Sequence, residues 1–204
     1  MIKAIFFDFA GVISTKPNIV SDYFIPYYNL PAEELKERYY KGRIGKATFK
    51  EITKGIQPQK IYLHLNSSEL SPNAKKVLSR LSKKYELYIA SNHLPNFFEK
   101  EVKHLGVKKY FKAFFPSYKI KYHKPQKEYY LAILRKTKLN PRECVFVDDA
   151  KINLKPAKEL GFTTIWFNKK NNDPRNKINY KPDYEINNLE QVTKKLEQAK
   201  RRKT

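Results

Sequence analysis

A single cysteine, Cys144, stands in 204 residues, so no intramolecular disulfide can form, and no Cys/His cluster has zinc-site spacing. No apolar run approaches the ~20 residues that span a bilayer. The N-terminus carries no signal-peptide pattern, so a cytoplasmic protein without membrane attachment is expected. Acidic residues are scarce beside basic ones: 20 Asp plus Glu against 42 Lys plus Arg, a net charge of +22. Such a surface attracts polyanions and steers small anions. The lysines are spread along the chain, with the main cluster at Lys200-Arg-Arg-Lys203, and no nucleic-acid module accompanies them. A bias of genome or habitat is therefore favoured over nucleic acid as a partner.

What is present is globular: 41% hydrophobic and 14% aromatic residues, enough for one core with a small inserted subdomain. The chain opens on Ile2 to Phe7, broken only by Lys3, and drives into Asp8 and then Gly11. A near-continuous apolar run suits a strand buried on both faces of a parallel sheet, with Asp8 at its carboxyl end. Open α/β sheets bind ligands at that edge. Asp and Gly are also ordinary turn residues, so this stretch alone leaves the choice open.

From Ser14 to about Ser71 the pattern changes to short helices, at Ser21–Asn29, Ala32–Tyr40 and Lys46–Thr53, with breaks at Pro31, Gly42, Gly55 and Pro58. After Ser71 strands and helices alternate. Strands are predicted at Glu86–Ala90, Ala113–Pro116, Cys144–Val147, Thr163–Phe167 and, as a small edge, Tyr184–Ile186. Helices are predicted from Ser71 through Leu81, from Pro95 to His104 before Gly106, after Pro125, and from Ile152 to Leu160 before Gly161. A last amphipathic helix starts at Asn188, and 168–182 reads as loop. The alternation predicts an α/β fold with a parallel sheet covered on both faces. Cys144 is expected to be inert core.

Polar residues follow four of these strands: Asp8, Ser91-Asn92, Ser117 with the later Lys124, and Asp148-Asp149. In one parallel sheet all four ends converge. Carboxylates brought together repel unless a cation sits between them. Oxygen ligands suit a hard ion such as Mg²⁺, and a lysine, a hydroxyl and an amide supply donors for phosphoryl oxygens. His93 and His123 flank these residues and are read as loop histidines.

The chain resembles the haloacid dehalogenase-like (HAD) hydrolase superfamily. The four signature motifs occur in order as Asp8-Phe-Ala10-Gly-Val12, Ser91 within Ile-Ala-Ser-Asn, Lys124-Pro125, and Asp148-Asp149 continuing to Asn153. The resemblance implies a Rossmann-like three-layer core from 1–14 and 72–204, with a small helical cap over 15–71. Tyr40 through Phe49 is similar to cap segments of phosphatase-like members. It further implies Asp8 as nucleophile and ligand of Mg²⁺. Asp148 and the Ala10 backbone carbonyl would be further ligands. Asp149 would support the metal, through water or by orienting Lys124. Ser91 and the Asn92 backbone would bind phosphoryl oxygens, Lys124 would neutralise charge, and Asn153 would stand behind the metal ligands.

One departure qualifies this expectation. Phosphatase members carry an acid/base Asp where this chain has Ala10, and that proton transfer is typically worth 10²–10⁴-fold. The reading is therefore a Mg²⁺-dependent phosphatase of weakened or narrowed activity on a small phosphorylated metabolite. The alternative is a catalytically impaired HAD-fold protein that binds a phosphorylated ligand or nucleic acid through its basic surface. A third, weaker reading is 2-haloacid dehalogenation, in which that Asp is also missing; Asp148-Asp149 argues against it. Arg43, Lys46, Tyr39 and Tyr40 are candidates to face a substrate. Substrate identity and oligomeric state are open.

Overall fold

The computed structural model describes residues 1–15, 32–55, 68–169 and 173–201. The helix expected at 21–29, the breaks at Pro31 and Pro58, and Arg202-Lys203 lie outside them. Six strands form one all-parallel sheet: β1 (Ala4–Phe7), β2 (Glu86–Ser91), β3 (Ala113–Pro116), β4 (Cys144–Asp148), β5 (Thr163–Phe167) and β6 (Tyr184–Ile186). Their spatial order is β3-β2-β1-β4-β5-β6. In register, Phe7 lies beside Ile89 on one side and Val147 on the other. The order reverses between β1 and β4, the switch point at whose carboxyl ends α/β sheets hold ligands.

Both faces of the sheet are covered, which is why β1 and β4 are apolar at nearly every position. On one face Ile5, Phe7, Ile89 and Val147 pack against α3 (Ala74–Leu81), α4 (Phe97–Leu105) and α8 (Gln191–Arg201). On the other, Phe6, Tyr88 and Phe146 pack against α6 (Lys127–Thr137) and α7 (Lys151–Glu159), and Cys144 is buried among them. Phe6 stacks on Tyr88 at 4.8 Å between centroids and on Phe146 at 6.2 Å. Each such ring fully buried contributes ~1.5–3 kcal/mol. No described helix is long and apolar enough to cross a membrane.

Helix starts follow local chemistry more closely than apolar spacing. In the short α2 (Phe49–Ile52), the Glu51 amide donates to Thr48 Oγ1 and the Thr48 amide to Glu51 Oε2, a capping box that starts the helix three residues after the expected Lys46. Asn96, at φ +64°, keeps α4 from beginning at Pro95. Asn188 Oδ1 accepts from the Gln191 amide at 3.2 Å, as its reading as a cap requires. A short helix, α5 (Ser117–Ile120), follows β3 where none was expected.

α1 (Ala32–Arg43) and α2 lie between β1 and α3, in a stretch whose two described ends run side by side. The Thr15 amide donates to the Glu69 carbonyl at 2.9 Å, and the Ser71 amide to that of Ile13 at 2.9 Å. Glu101 of α4 ties these ends down: its Oε1 accepts from Ser14 Oγ at 3.2 Å and from Ser68 Oγ at 2.5 Å. Its Oε2 lies 3.0 Å from His93 Nε2 in the loop after β2.

Candidate active site

Asp8 follows β1 and continues the ladder, its amide donating to the Val147 carbonyl at 2.8 Å. The chain then winds back: the Ile13 and Ser14 amides both donate to the Phe9 carbonyl at 2.9 Å. Gly11 sits in this loop at φ +93°. A Cβ there would fall 2.5 Å from Asp149 Oδ2 and 2.4 Å from Lys169 Nζ, so only glycine fits the conformation and the space. Ala10, one residue earlier, is partly exposed.

β4 delivers Asp148 and Asp149 next to Asp8. One oxygen from each of the three carboxylates lies within 4.8 Å of the others, and all three residues are buried. Asp148 is fixed from two further sides. Its Oδ1 accepts from the Ala150 amide at 2.9 Å and from Asn153 Nδ2 at 3.0 Å. Asn153 is itself held by Tyr130, whose hydroxyl donates to the Asn153 carbonyl at 2.6 Å. Trp166 Nε1 donates to the Asp149 carbonyl at 3.1 Å.

Lys124 enters from the loop after α5. Its ammonium lies 2.6 Å from Asp148 Oδ2 and 3.0 Å from Asp8 Oδ1, and the residue is 2% exposed. Asn92 positions it by gripping the main chain both ways: Asn92 Nδ2 donates to the Lys124 carbonyl, and the Lys124 amide to Asn92 Oδ1, each at 2.8 Å. The Asn92 side chain thus joins the loops after β2 and α5. Burial alone pulls the Lys124 ammonium down; Asp148 and Asp8 outweigh it and hold the pKa above the ordinary lysine value. Burial also pushes Asp148 up, with Asp8 and Asp149 adding to it against the pull of Lys124. Asp149 is raised by burial and by Asp8, against Arg175 and Lys169. The proton is therefore kept on the lysine, and the carboxylates need positive charge nearby.

Among the described residues three buried side-chain polar atoms have no hydrogen-bond partner: Arg43 Nε in α1 and, at this edge, the oxygens Ser91 Oγ at the end of β2 and Asp149 Oδ1. Buried polar atoms are seldom left so, and an orphan at a crevice points to a ligand. The acidic cluster could hold a metal ion, and its oxygen-only donors suit a hard one.

The expected residues Asp8, Ser91, Asn92, Lys124, Asp148 and Asp149 stand on the loops and strand ends of this one edge, and Asn153 on the first turn of α7. Ser117 does not join the ion pairs; it accepts from the His93 amide at 3.1 Å and donates to the His93 carbonyl. Asp149 does not orient Lys124. It faces two cations that the sequence reading passed over, Lys169 Nζ at 3.3 Å and Arg175 at 3.6 Å. Both come from the stretch read as plain loop; in so lysine-rich a chain no local pattern marks them. The Asp-Pro turn at Asp173-Pro174 was the available signal, because Asp173 caps the turn and pairs with Arg175. Of the insertion residues singled out, Tyr40 packs edge-on against His123, beside Lys124, with ring centroids 5.4 Å apart. Arg43 stacks over Tyr39 at 5.4 Å. Burial and Arg43 lower the pKa of His123, whose Nδ1 lies 2.8 Å from the Lys124 carbonyl oxygen.

The fold is shared with solved structures of differing chemistry. An L-2-haloacid dehalogenase from Xanthobacter autotrophicus, with chloropropionic acid covalently bound, superposes at TM-score 0.70 over 97% of this chain and 99% of its own, at 18% identity. A HAD-hydrolase from Bacillus subtilis bound to magnesium gives 0.70 at 21% identity, over 96% and 98%. A HAD family enzyme from Bacteroides thetaiotaomicron in complex with magnesium and inorganic phosphate gives 0.67 at 22% identity, over 85% and 98%. No curated protein matches the sequence. The family model for haloacid dehalogenase-like hydrolases matches residues 3–167, from the first strand through all four polar strand ends. On that match the chain belongs to the haloacid dehalogenase-like hydrolase family.

Proposed function

We propose that this protein hydrolyses a small phosphorylated substrate with Asp8 as nucleophile and Mg²⁺ as cofactor, the insertion around α1 and α2 acting as a cap. The observation that carries the reading is the pair of orphaned buried oxygens, Asp149 Oδ1 and Ser91 Oγ, beside a three-carboxylate cluster. One suits a cation and the other a phosphoryl oxygen. Asp8, Asp148 and the Ala10 carbonyl would hold Mg²⁺ with support from Asp149, and the ion would offset charge on the phosphoryl group.

The chain's own residues supply the rest. Asp8 Oδ1 is held by the Phe9 amide at 2.7 Å and by Lys124, which leaves Oδ2 to attack phosphorus. The Asp8–phosphorus bond forms as the bond to the leaving oxygen breaks, giving an aspartyl-phosphate that water then opens. Lys124 balances charge on Asp8 and the phosphoryl group, and Ser91 Oγ donates to a phosphoryl oxygen. Asn153 keeps Asp148 aimed at the site. Ala10 can neither protonate the leaving group nor activate water, so substrates with good leaving groups are favoured.

One feature favours a second reading, metal-independent displacement of halide from carbon by Asp8: Ala10 has no proton to give, and that reaction requires none. Phosphate release from a phosphoester panel, with and without Mg²⁺, against halide release from 2-haloacids separates the two. Mg²⁺-dependent phosphate release supports the first; halide release indifferent to chelator overturns it.

A further inference from the structure

Asp149 divides its two oxygens unequally. Oδ1 is buried and has no hydrogen-bond partner, while Oδ2 faces Lys169 at 3.3 Å and Arg175 at 3.6 Å. The two cations are held differently. Arg175 is anchored by Asp173, whose Oδ1 and Oδ2 accept from its Nε at 3.0 and 2.9 Å, so its charge is fixed and already matched. Among the described residues Asp149 is the one carboxylate that pairs with Lys169. The backbone root of Lys169 follows Asn168, which is pinned at the end of β5 by its amide donating to the Ile186 carbonyl at 2.7 Å. The side chain is 28% exposed.

The ammonium has a prepared seat. It lies over Gly11, in the loop after Asp8, where a Cβ would come within 2.4 Å of Nζ and 2.5 Å of Asp149 Oδ2. Three cations, Lys124, Lys169 and Arg175, thus face three carboxylates, Asp8, Asp148 and Asp149. A divalent ion entering this balanced cluster would compete with a positive charge, and among the described residues Lys169 forms an ion pair with Asp149 alone, Asp173 feeling its charge without pairing.

We infer that Lys169 is a built-in competitor for the cation site, its ammonium and the metal ion holding Asp149 in turn. This rests on the metal reading above. It makes metal affinity low at rest and dependent on Lys169 leaving Asp149, which an arriving phosphoryl group, itself an acceptor for the freed ammonium, would favour.

The test is Mg²⁺ titration of the full chain without substrate, followed by calorimetry and by fluorescence. Trp166, the chain's single tryptophan, hydrogen-bonds the Asp149 carbonyl and reports the site. Lys169→Met should bind Mg²⁺ at least tenfold more tightly than wild type, Lys169→Ala should do the same, and the charge-preserving Lys169→Arg should stay near wild type. Unchanged or weaker binding in folded Lys169→Met and Lys169→Ala overturns the inference and leaves the metal reading standing. No Mg²⁺ binding in wild type or in either variant overturns both.

Discussion

The ammonium of Lys124 lies 2.6 Å from Asp148, with both side chains fully buried. Removing the lysine leaves two carboxylates facing each other in the interior. Lys124→Met is expected to destabilise the metal-free protein by ~3–5 kcal/mol near neutral pH. The pKa of Lys124 is raised in the fold, so its contribution is present below the ordinary lysine value and is lost as pH rises through the raised one. Urea unfolding of variant and wild type from pH 5 to 8 measures the loss; equal midpoints contradict the assignment.

Asp148 carries the opposite sign. Burial raises its pKa above the ordinary 3.8, so the native state binds more protons than the unfolded chain above that value. Stability therefore falls as pH rises through this window. Asp148→Asn removes the cost while Lys124 keeps Asp8 as a partner. The stability of the variant relative to wild type should therefore improve from pH 4 to pH 8 without metal. Thermal unfolding at the two pH values checks it, and a variant whose relative stability falls between them contradicts it.

Glu101 accepts hydrogen bonds from both ends of the 15–71 insertion and lies against His93 in the loop after β2. Glu101→Ala removes the carboxylate that Ser14, Ser68 and His93 share and should cost ~2–4 kcal/mol, with Glu101→Gln costing less. Denaturant midpoints decide. Proteolysis between residues 15 and 68 should quicken in the alanine variant.

Ala10→Asp restores the group that protonates a leaving oxygen. It should raise phosphate release tenfold or more, toward the 10²–10⁴-fold that acid–base catalysis typically supplies. The gain should be largest for alkyl phosphates, which leave poorly without a proton. A folded variant with no gain contradicts the role given to position 10.

The sheet was legible because its central strands are buried on both faces and read as unbroken apolar runs, ending on polar residues that converge only in a parallel arrangement. Cap chemistry set the helix starts: Thr48 and Glu51 moved one past the limit that apolar spacing predicts. The inner site was legible for the same reason as the strands, since Asp8, Ser91 and Asp148 terminate them. Lys169 and Arg175 were not, because their role depends on where they stand relative to Asp149, and the one sequence signal, the Asp173-Pro174 turn, marks a turn without naming the carboxylate it faces. The orphaned oxygens of Ser91 and Asp149 are visible only in three dimensions.

The central claim is that Asp8 attacks phosphorus with Mg²⁺ present. Phosphate release from a phosphoester panel, with Mg²⁺ or with chelator, on wild type and Asp8→Asn side by side tests it most directly. Release by wild type with Mg²⁺ alone, and none by Asp8→Asn, is expected. Release that survives in Asp8→Asn, or none from wild type at high enzyme concentration, contradicts it.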